Sequence, residues 1–135
     1  SRVRYLEHSP SWRVIAGKRI PMWEVALPAG NFKLIFEVEG LVDESTITIE
    51  LEDAGGESPS LQQQSFQVKK GIQRIEYNFT KPFAPYQSRF VVSGLKGSCQ
   101  MLTFKLFPNY QKLSDDFDIW RTSGIQPEWI ARFEK

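Results

Sequence analysis

The sequence predicts an all-β fold, an antiparallel jelly-roll β-sandwich with a short C-terminal helical tail. Two observations support this prediction. Within the stretch from Pro28 to Phe107, apolar side chains recur at every second position over short runs, as in strands that bury one face. About eight such runs follow one another at the spacing of hairpins, which favours an antiparallel sandwich over a parallel α/β sheet.

The clearest alternation lies in two successive runs, residues 31–38 and 45–51. The first run places four apolar side chains on one face: Phe32, Leu34, Phe36 and Val38. The second run places Ile47, Ile49 and Leu51 on one face, opposite Thr46, Thr48 and Glu50. We interpret the two runs as neighbouring strands of one antiparallel sheet.

Shorter runs on either side predict the remaining strands. They span residues 12–15, 21–27, 65–68, 73–79, 89–93 and 100–107. A glycine-containing turn at residues 69–71 separates two of them. The last run predicts one buried face formed by Leu102, Phe104 and Leu106. The polar faces opposite the core carry Lys33, Glu37, Arg74, Glu76, Asn78 and Arg89.

The alternation ends at Pro108. Pro127 suits the first position of a helix, and Trp129 and Phe133 are four residues apart, about one helical turn. We therefore predict a β-sandwich domain over residues 1–108 and a tail or linker with a short helix over residues 109–135. Because the chain begins at Ser1 rather than Met, we expect it to be part of a larger protein.

Composition restricts the partners of the protein. A chain of 135 residues suits one domain with its own core. Seventeen Lys and Arg against sixteen Asp and Glu leave a net charge of +1, so no long-range field would draw the protein to nucleic acid or to an anionic membrane, and only a local patch could bind a polyanion. No run of about 18 apolar residues is present to span a bilayer. The single cysteine, Cys99, cannot form an internal disulfide and is expected to be a buried thiol.

Few residues could carry catalysis or bind a metal. His8 is the only histidine, so a zinc site of several His and Cys side chains is excluded, and Ser/His/Asp catalysis would depend on this residue alone. The acidic clusters lie in predicted loops, at residues 52–53 and 115–118, where turn and helix-cap roles are typical. We predict that the protein is not an enzyme and uses no metal or cofactor.

The order of strands and turns resembles that of the galactose-binding-like jelly rolls found in many carbohydrate-binding modules. The resemblance is carried by residues 27–36, 46–51, 66–79, 89–94 and 101–106. It implies a noncatalytic carbohydrate-binding module, an accessory domain within a larger protein. Residues 109–135 have no counterpart in such modules and suggest a connection to a neighbouring domain of the same protein.

Six residues are candidates for the sugar site: Trp12, Trp23, Glu76, Tyr86, Gln87 and Arg89. The three aromatic residues are the rings least easily buried, and flat rings stack on the C–H faces of sugars. The three polar residues would bind hydroxyl groups, with Arg89 and Glu76 bridging them. In the structural alternative, the aromatic side chains close the end of the sandwich, and Glu76 and Arg89 form a solvated charge pair.

The alternative function is that of a protein-interaction or assembly domain. Such a domain would dock onto a neighbour through its sheet face or through its C-terminal tail. The tail contains three large apolar side chains for this purpose, Trp120, Trp129 and Phe133.

Overall fold

The computed structural model describes residues 6–27, 29–54, 62–81 and 87–108, and the regular elements in these ranges are β-strands. The strands are β1 (Leu6–His8), β2 (Trp12–Ile15), β3 (Arg19–Ala26), β4 (Gly30–Asp53), β5 (Gln62–Lys81), β6 (Gln87–Lys96) and β7 (Ser98–Pro108). These ranges contain no helix that could cross a membrane. The helix predicted near the C-terminus lies outside them.

The strands form one seven-stranded sheet. Its order is β1-β7-β4-β6-β3, with β2 also paired to β7 and β5 also paired to β4. Every pairing between these strands is antiparallel, which confirms the all-β prediction. The two longest strands, β4 and β5, pair along almost their whole length, and β4 also pairs with β6 and β7.

The course of β4 corrects our interpretation of the two clearest runs in the sequence. Residues 31–38 and 45–51 are not neighbouring strands but the two halves of one 24-residue strand, and each half pairs with a different part of β5. The pairing skips from Gly40 to Glu44, so residues 41–43 have no partner on β5 and the strand bends there. The turn predicted at residues 69–71 is part of β5 and lies opposite this bend.

The bend divides the sheet into two layers. In the first layer, the first half of β4 lies between β7 and the second half of β5, and β1 and β2 lie beyond β7. In the second layer, the second half of β4 lies between β6 and the first half of β5, and β3 lies beyond β6. The apolar faces of both layers meet in a single core.

The alternating runs form the centre of this core. The predicted apolar positions of both runs are all buried: Phe32, Leu34, Phe36, Val38, Ile47, Ile49 and Leu51. Cys99 is a buried thiol, as expected. The expectation for Leu102 is wrong, because the register of β7 against β4 shifts at this residue and leaves it half-buried. Met101 takes the buried position instead.

Residues 16–18 connect β2 in the first layer to β3 in the second, and their backbone runs close to β6. Two hydrogen bonds join the segments: Gly17 N donates to Gly94 O at 2.9 Å, and Gly94 N donates to Lys18 O at 2.8 Å. A Cβ on Gly94 would overlap the carbonyl group of Ile15 and lie 3.1 Å from Val14 Cγ1. The absence of a side chain at position 94 therefore allows the two backbones to approach.

We expect Gly94→Ala to lower the free energy of unfolding by about 1–3 kcal/mol, because the added methyl group has no space between the two backbones. Urea unfolding of the wild type and the variant measures the difference. Ser93→Ala, at the preceding position of β6, is the control and should cost less than about 0.5 kcal/mol. Equal unfolding midpoints for the two variants would contradict the close approach.

Candidate functional site

Arg89 lies at the centre of an ion-pair network on the outer face of the second layer. Its guanidinium group is 2.9 Å from a carboxylate oxygen of Glu52 and 3.5 Å from one of Glu24. Arg19 also pairs with Glu52 and lies 3.3 Å from Glu50. The donors of both arginines are thus directed at carboxylates of the same protein, which gives Arg89 a structural role in ion pairs, although its partners are Glu24 and Glu52 and not Glu76.

Glu76 lies on the other side of the molecule. It belongs to the half of β5 that pairs with the first half of β4, where its partner is Ile35. Arg89 belongs to β6, which pairs with the second half of β4. The structure therefore does not bring Glu76 next to Arg89. The nearest polar partner of Glu76 is Asn78, whose amide donates to its carboxylate at 3.2 Å.

Trp23 closes one edge of the core. It is half-buried, and its ring stacks on His8 at 5.4 Å and on Phe90 at 5.9 Å between centroids. His8 donates from Nε2 to the carbonyl oxygen of Met22 at 3.0 Å, which holds the imidazole against the indole ring. Trp23 thus stacks with two rings of the same protein, so its position matches the structural alternative for the aromatic residues.

The other candidates are dispersed. Trp12 is 45% exposed at the edge strand β2, and its partner Met101 is a core residue, so Trp12 projects on the core side of the sheet. Gln87 is exposed at the start of β6, where its carbonyl accepts a hydrogen bond from Ala54 N at 2.9 Å. Tyr86 lies outside the described residues. The five candidates that the structure describes do not form one site.

A groove of about 240 Å³ lies on the outer face of the first layer. It is lined by Ile35, Glu37, Arg74, Thr103 and Lys105, which come from β4, β5 and β7. Glu37 is opposite Arg74 on one side and Thr103 on the other, so these three form a row across the strands. Ile35 and Lys105 form the next row, about 7 Å along the strands. Ile35 is 9% exposed and forms the apolar floor.

Within the described part of the chain, three polar side chains of this groove have no partner. Glu37 and Arg74 are directly opposite in the register, yet among residues 6–27, 29–54, 62–81 and 87–108 neither makes an ion pair or a side-chain hydrogen bond. The same holds for the Thr103 hydroxyl. Lys105 lies 3.8 Å from Glu7 at the edge of the groove. A carboxylate, a guanidinium and a hydroxyl are therefore available for a ligand over an apolar floor.

The same face continues beyond the groove. Phe107 and Lys33 are opposite each other in the next row, and the ammonium group of Lys33 is 5.6 Å from the centre of the Phe107 ring. Glu76 is also on this face, beside Ile35. The alternation of polar residues in the sequence indicated an outward face here, but it did not indicate that Arg74, Glu37 and Thr103 are neighbours.

Metal binding finds no support in the described ranges. They contain no group of three or more His, Cys, Asp or Glu side chains that could hold an ion. The groove offers one carboxylate beside two cationic groups, a charge arrangement unlike the clustered carboxylates that bind Ca²⁺ or Mg²⁺.

Comparison with known proteins identifies the fold. No protein-family model matches the chain, and no curated protein sequence matches it. A carbohydrate-binding module of lichenase 5A from Cellvibrio mixtus, solved in complex with cellotriose, matches 78% of this chain and 87% of its own length, with a TM-score of 0.53 and 12% identity. The apo form of the module BiXyn10A CBM1 matches 81% of this chain and all of its own length, with a TM-score of 0.51 and 17% identity.

A third similar structure is the cycloalternan-forming enzyme from Listeria monocytogenes in complex with a pentasaccharide. It matches 76% of this chain over 9% of its own length, with a TM-score of 0.51 and 8% identity. At these identities the likeness is one of fold. The chain thus has the all-β fold of carbohydrate-binding modules, as the sequence resemblance implied.

Proposed function

We propose that the protein is a noncatalytic carbohydrate-binding module of the jelly-roll type, a domain of a larger protein, and that its ligand binds in the groove over Ile35. The observation that carries this proposal is that Glu37, Arg74 and Thr103 surround an apolar floor and make no ion pair or side-chain hydrogen bond within the described residues. In the same proposal, residues 1–108 form the binding domain and residues 109–135 connect it to a neighbouring domain.

The groove matches the two kinds of surface that a sugar ring presents. The C–H face of the ring would pack on Ile35, and the hydroxyl groups at its rim both donate and accept hydrogen bonds. Arg74 donates only, the Glu37 carboxylate accepts only, and the Thr103 hydroxyl does both. The ring of Phe107 lies on the same face, one row beyond Ile35, with the ammonium group of Lys33 over it.

The charge of the groove favours a neutral glycan. Its lining contains one carboxylate, from Glu37, and two cationic groups, from Arg74 and Lys105. Lys105 lies 3.8 Å from Glu7, and Glu76 adds a further negative charge beside Ile35. Carboxylates and cations are therefore balanced around the floor, and neither an acidic nor a basic sugar is favoured by the local charge.

A glycan array with the full chain, followed by calorimetric titration of the best ligand and of cellotriose, tests this proposal. We expect binding that Arg74→Gln and Glu37→Gln each weaken about tenfold or more, the effect of losing a hydrogen bond to a charged group. The matched comparison is Arg89→Gln, which removes an arginine from the ion-pair network of the second layer. Unfolding curves verify that each variant is folded.

The comparison of the two arginines separates the candidate sites. Loss of binding in Arg74→Gln but not in Arg89→Gln supports the groove. Loss of binding in Arg89→Gln but not in Arg74→Gln would place the ligand at Arg89, one of the residues predicted from the sequence. Binding that neither variant changes would contradict both sites. The absence of any glycan ligand would contradict the proposed function and favour the assembly alternative, in which the tail is a candidate contact.

A further inference from the structure

Exposed aliphatic side chains are concentrated at one end of the molecule. Among the described residues, five large hydrophobic side chains are more than 40% exposed. Trp12 lies along β2, and the other four, between 41% and 65% exposed, lie where the chain passes from one layer to the other: Ile15, Val42, Ile72 and Leu95. Each comes from a different passage, so the concentration is a property of the tertiary structure.

The register places these four passages together. The bridge between Ala16 and Gly94 brings the segment after Ile15 beside the segment before Leu95. The pairing of Gly40 with Gly71 brings the bend of β4, which contains Val42, beside Ile72 on β5. The hydroxyl of Ser45 accepts from Ser98 N at 3.1 Å and donates to Ser98 O at 3.2 Å, which ties the bend to the β6–β7 hairpin. We call this region the bend end.

The bend end also carries an excess of positive charge. Lys18, Lys69 and Lys70 are exposed, and their ammonium groups have no ion pair within the described part of the chain. Lys96 pairs with Glu44 at 3.3 Å. The opposing charges of the same region are Asp43, which is exposed, and Glu39, which is half-buried opposite Ile72, so among the described residues three unpaired lysines face two unpaired carboxylates. The strands that lead into residues 28, 55–61, 82–86 and 109–135 all end at the opposite side of the molecule.

We propose that the bend end docks on the surface of an anionic lipid bilayer. Four aliphatic side chains on separate turns can enter the interfacial region together. The lysines beside them match a negatively charged headgroup layer, which attracts basic side chains within about 10 Å. The net charge of the whole chain is only +1, so the attraction is local to this end. The proposal does not depend on sugar binding, because the groove lies on the face of the first layer.

Sedimentation of the full chain with lipid vesicles tests the proposal. We expect binding to phosphatidylcholine vesicles that contain about 30% phosphatidylserine, and little binding to phosphatidylcholine alone. The double variant Lys69→Gln/Lys70→Gln should bind about fivefold more weakly for each lysine removed. Ile72→Ser/Leu95→Ser should bind at least about tenfold more weakly, and Asp43→Asn should bind more tightly.

Trp12→Ser is the matched control, because it removes an exposed apolar side chain away from the bend end. It should bind the vesicles as the wild type does. Absence of binding to the anionic vesicles, equal binding to both kinds of vesicle, or equal loss in Trp12→Ser would overturn the proposal. Dimerisation that Ile72→Ser/Leu95→Ser abolishes, without vesicle binding, would assign the bend end to a second copy and also overturn it.

Discussion

Replacing Phe36 by alanine is expected to lower the free energy of unfolding by about 3–5 kcal/mol. The Phe36 side chain is fully buried at the centre of the core. Its ring meets Phe66 edge-on at 5.3 Å and stacks on Phe104 at 5.7 Å, so it joins β5 to β7 across β4. Removing the ring loses the free energy of burying it. It also leaves a cavity, because the hydrogen-bonded strands around it cannot move inward to fill the space.

Urea unfolding followed by tryptophan fluorescence measures this effect. Ile72→Ala is the control, since Ile72 is 65% exposed and its truncation leaves no cavity. It should change the free energy of unfolding by no more than about 0.5 kcal/mol. A loss below about 1 kcal/mol in Phe36→Ala would mean that the aromatic cluster does not hold the two halves of the core together.

The second large effect is a dependence of stability on pH caused by Lys81. This side chain is 1% exposed, and burial lowers the pKa of its ammonium group from 10.5 to about 8, although the nearby Asp53 carboxylate acts in the opposite direction. Below pH 8 both the folded and the unfolded chain hold the proton. Between pH 8 and 10.5 only the unfolded chain holds it, so the free energy of unfolding rises with pH in this window.

The size of this rise follows from the two pKa values. The difference between 10.5 and about 8 corresponds to about 3 kcal/mol, at about 1.36 kcal/mol for each pH unit. The wild type should therefore gain about 3 kcal/mol relative to Lys81→Met when urea unfolding is repeated at pH 7 and at pH 10.5. The comparison with the variant is needed because two other described groups lower the free energy of unfolding as the pH rises.

Those two groups are Cys99 and Tyr77. Burial raises the pKa of both side chains, although a hydrogen bond with Ser45 partly counteracts it for the Cys99 thiol. At alkaline pH their protons are lost more readily from the unfolded chain, which lowers the stability of both proteins equally. A difference between wild type and Lys81→Met that stays constant from pH 7 to 10.5 would show that Lys81 is not buried as a charged group.

The sequence by itself determined most of the residues that form strands and most of the faces that are buried, although it misplaced Leu102 and a turn at residues 69–71. The alternation in residues 31–38 and 45–51 marked seven core positions, all of which are buried in the structure. Such predictions succeed because successive side chains of a strand point to opposite faces, so a buried face leaves a pattern between residues that are close in the chain. The likeness to carbohydrate-binding modules rested on the same local pattern and was confirmed at the level of fold.

Only the tertiary structure decided which strands are neighbours and hence which polar side chains meet. The two runs of β4 belong to one strand, and each run pairs with a different part of β5. The alternation of apolar residues could not show this, because it is the same whether two runs lie side by side as separate strands or follow each other in one strand. The groove brings Glu37, Arg74 and Thr103 together over sequence separations of 29 to 66 residues. Arg89 likewise forms ion pairs with Glu24 and Glu52, which are distant from it in the sequence. Such contacts depend on long-range register, which the packing of the core sets and which local sequence does not encode.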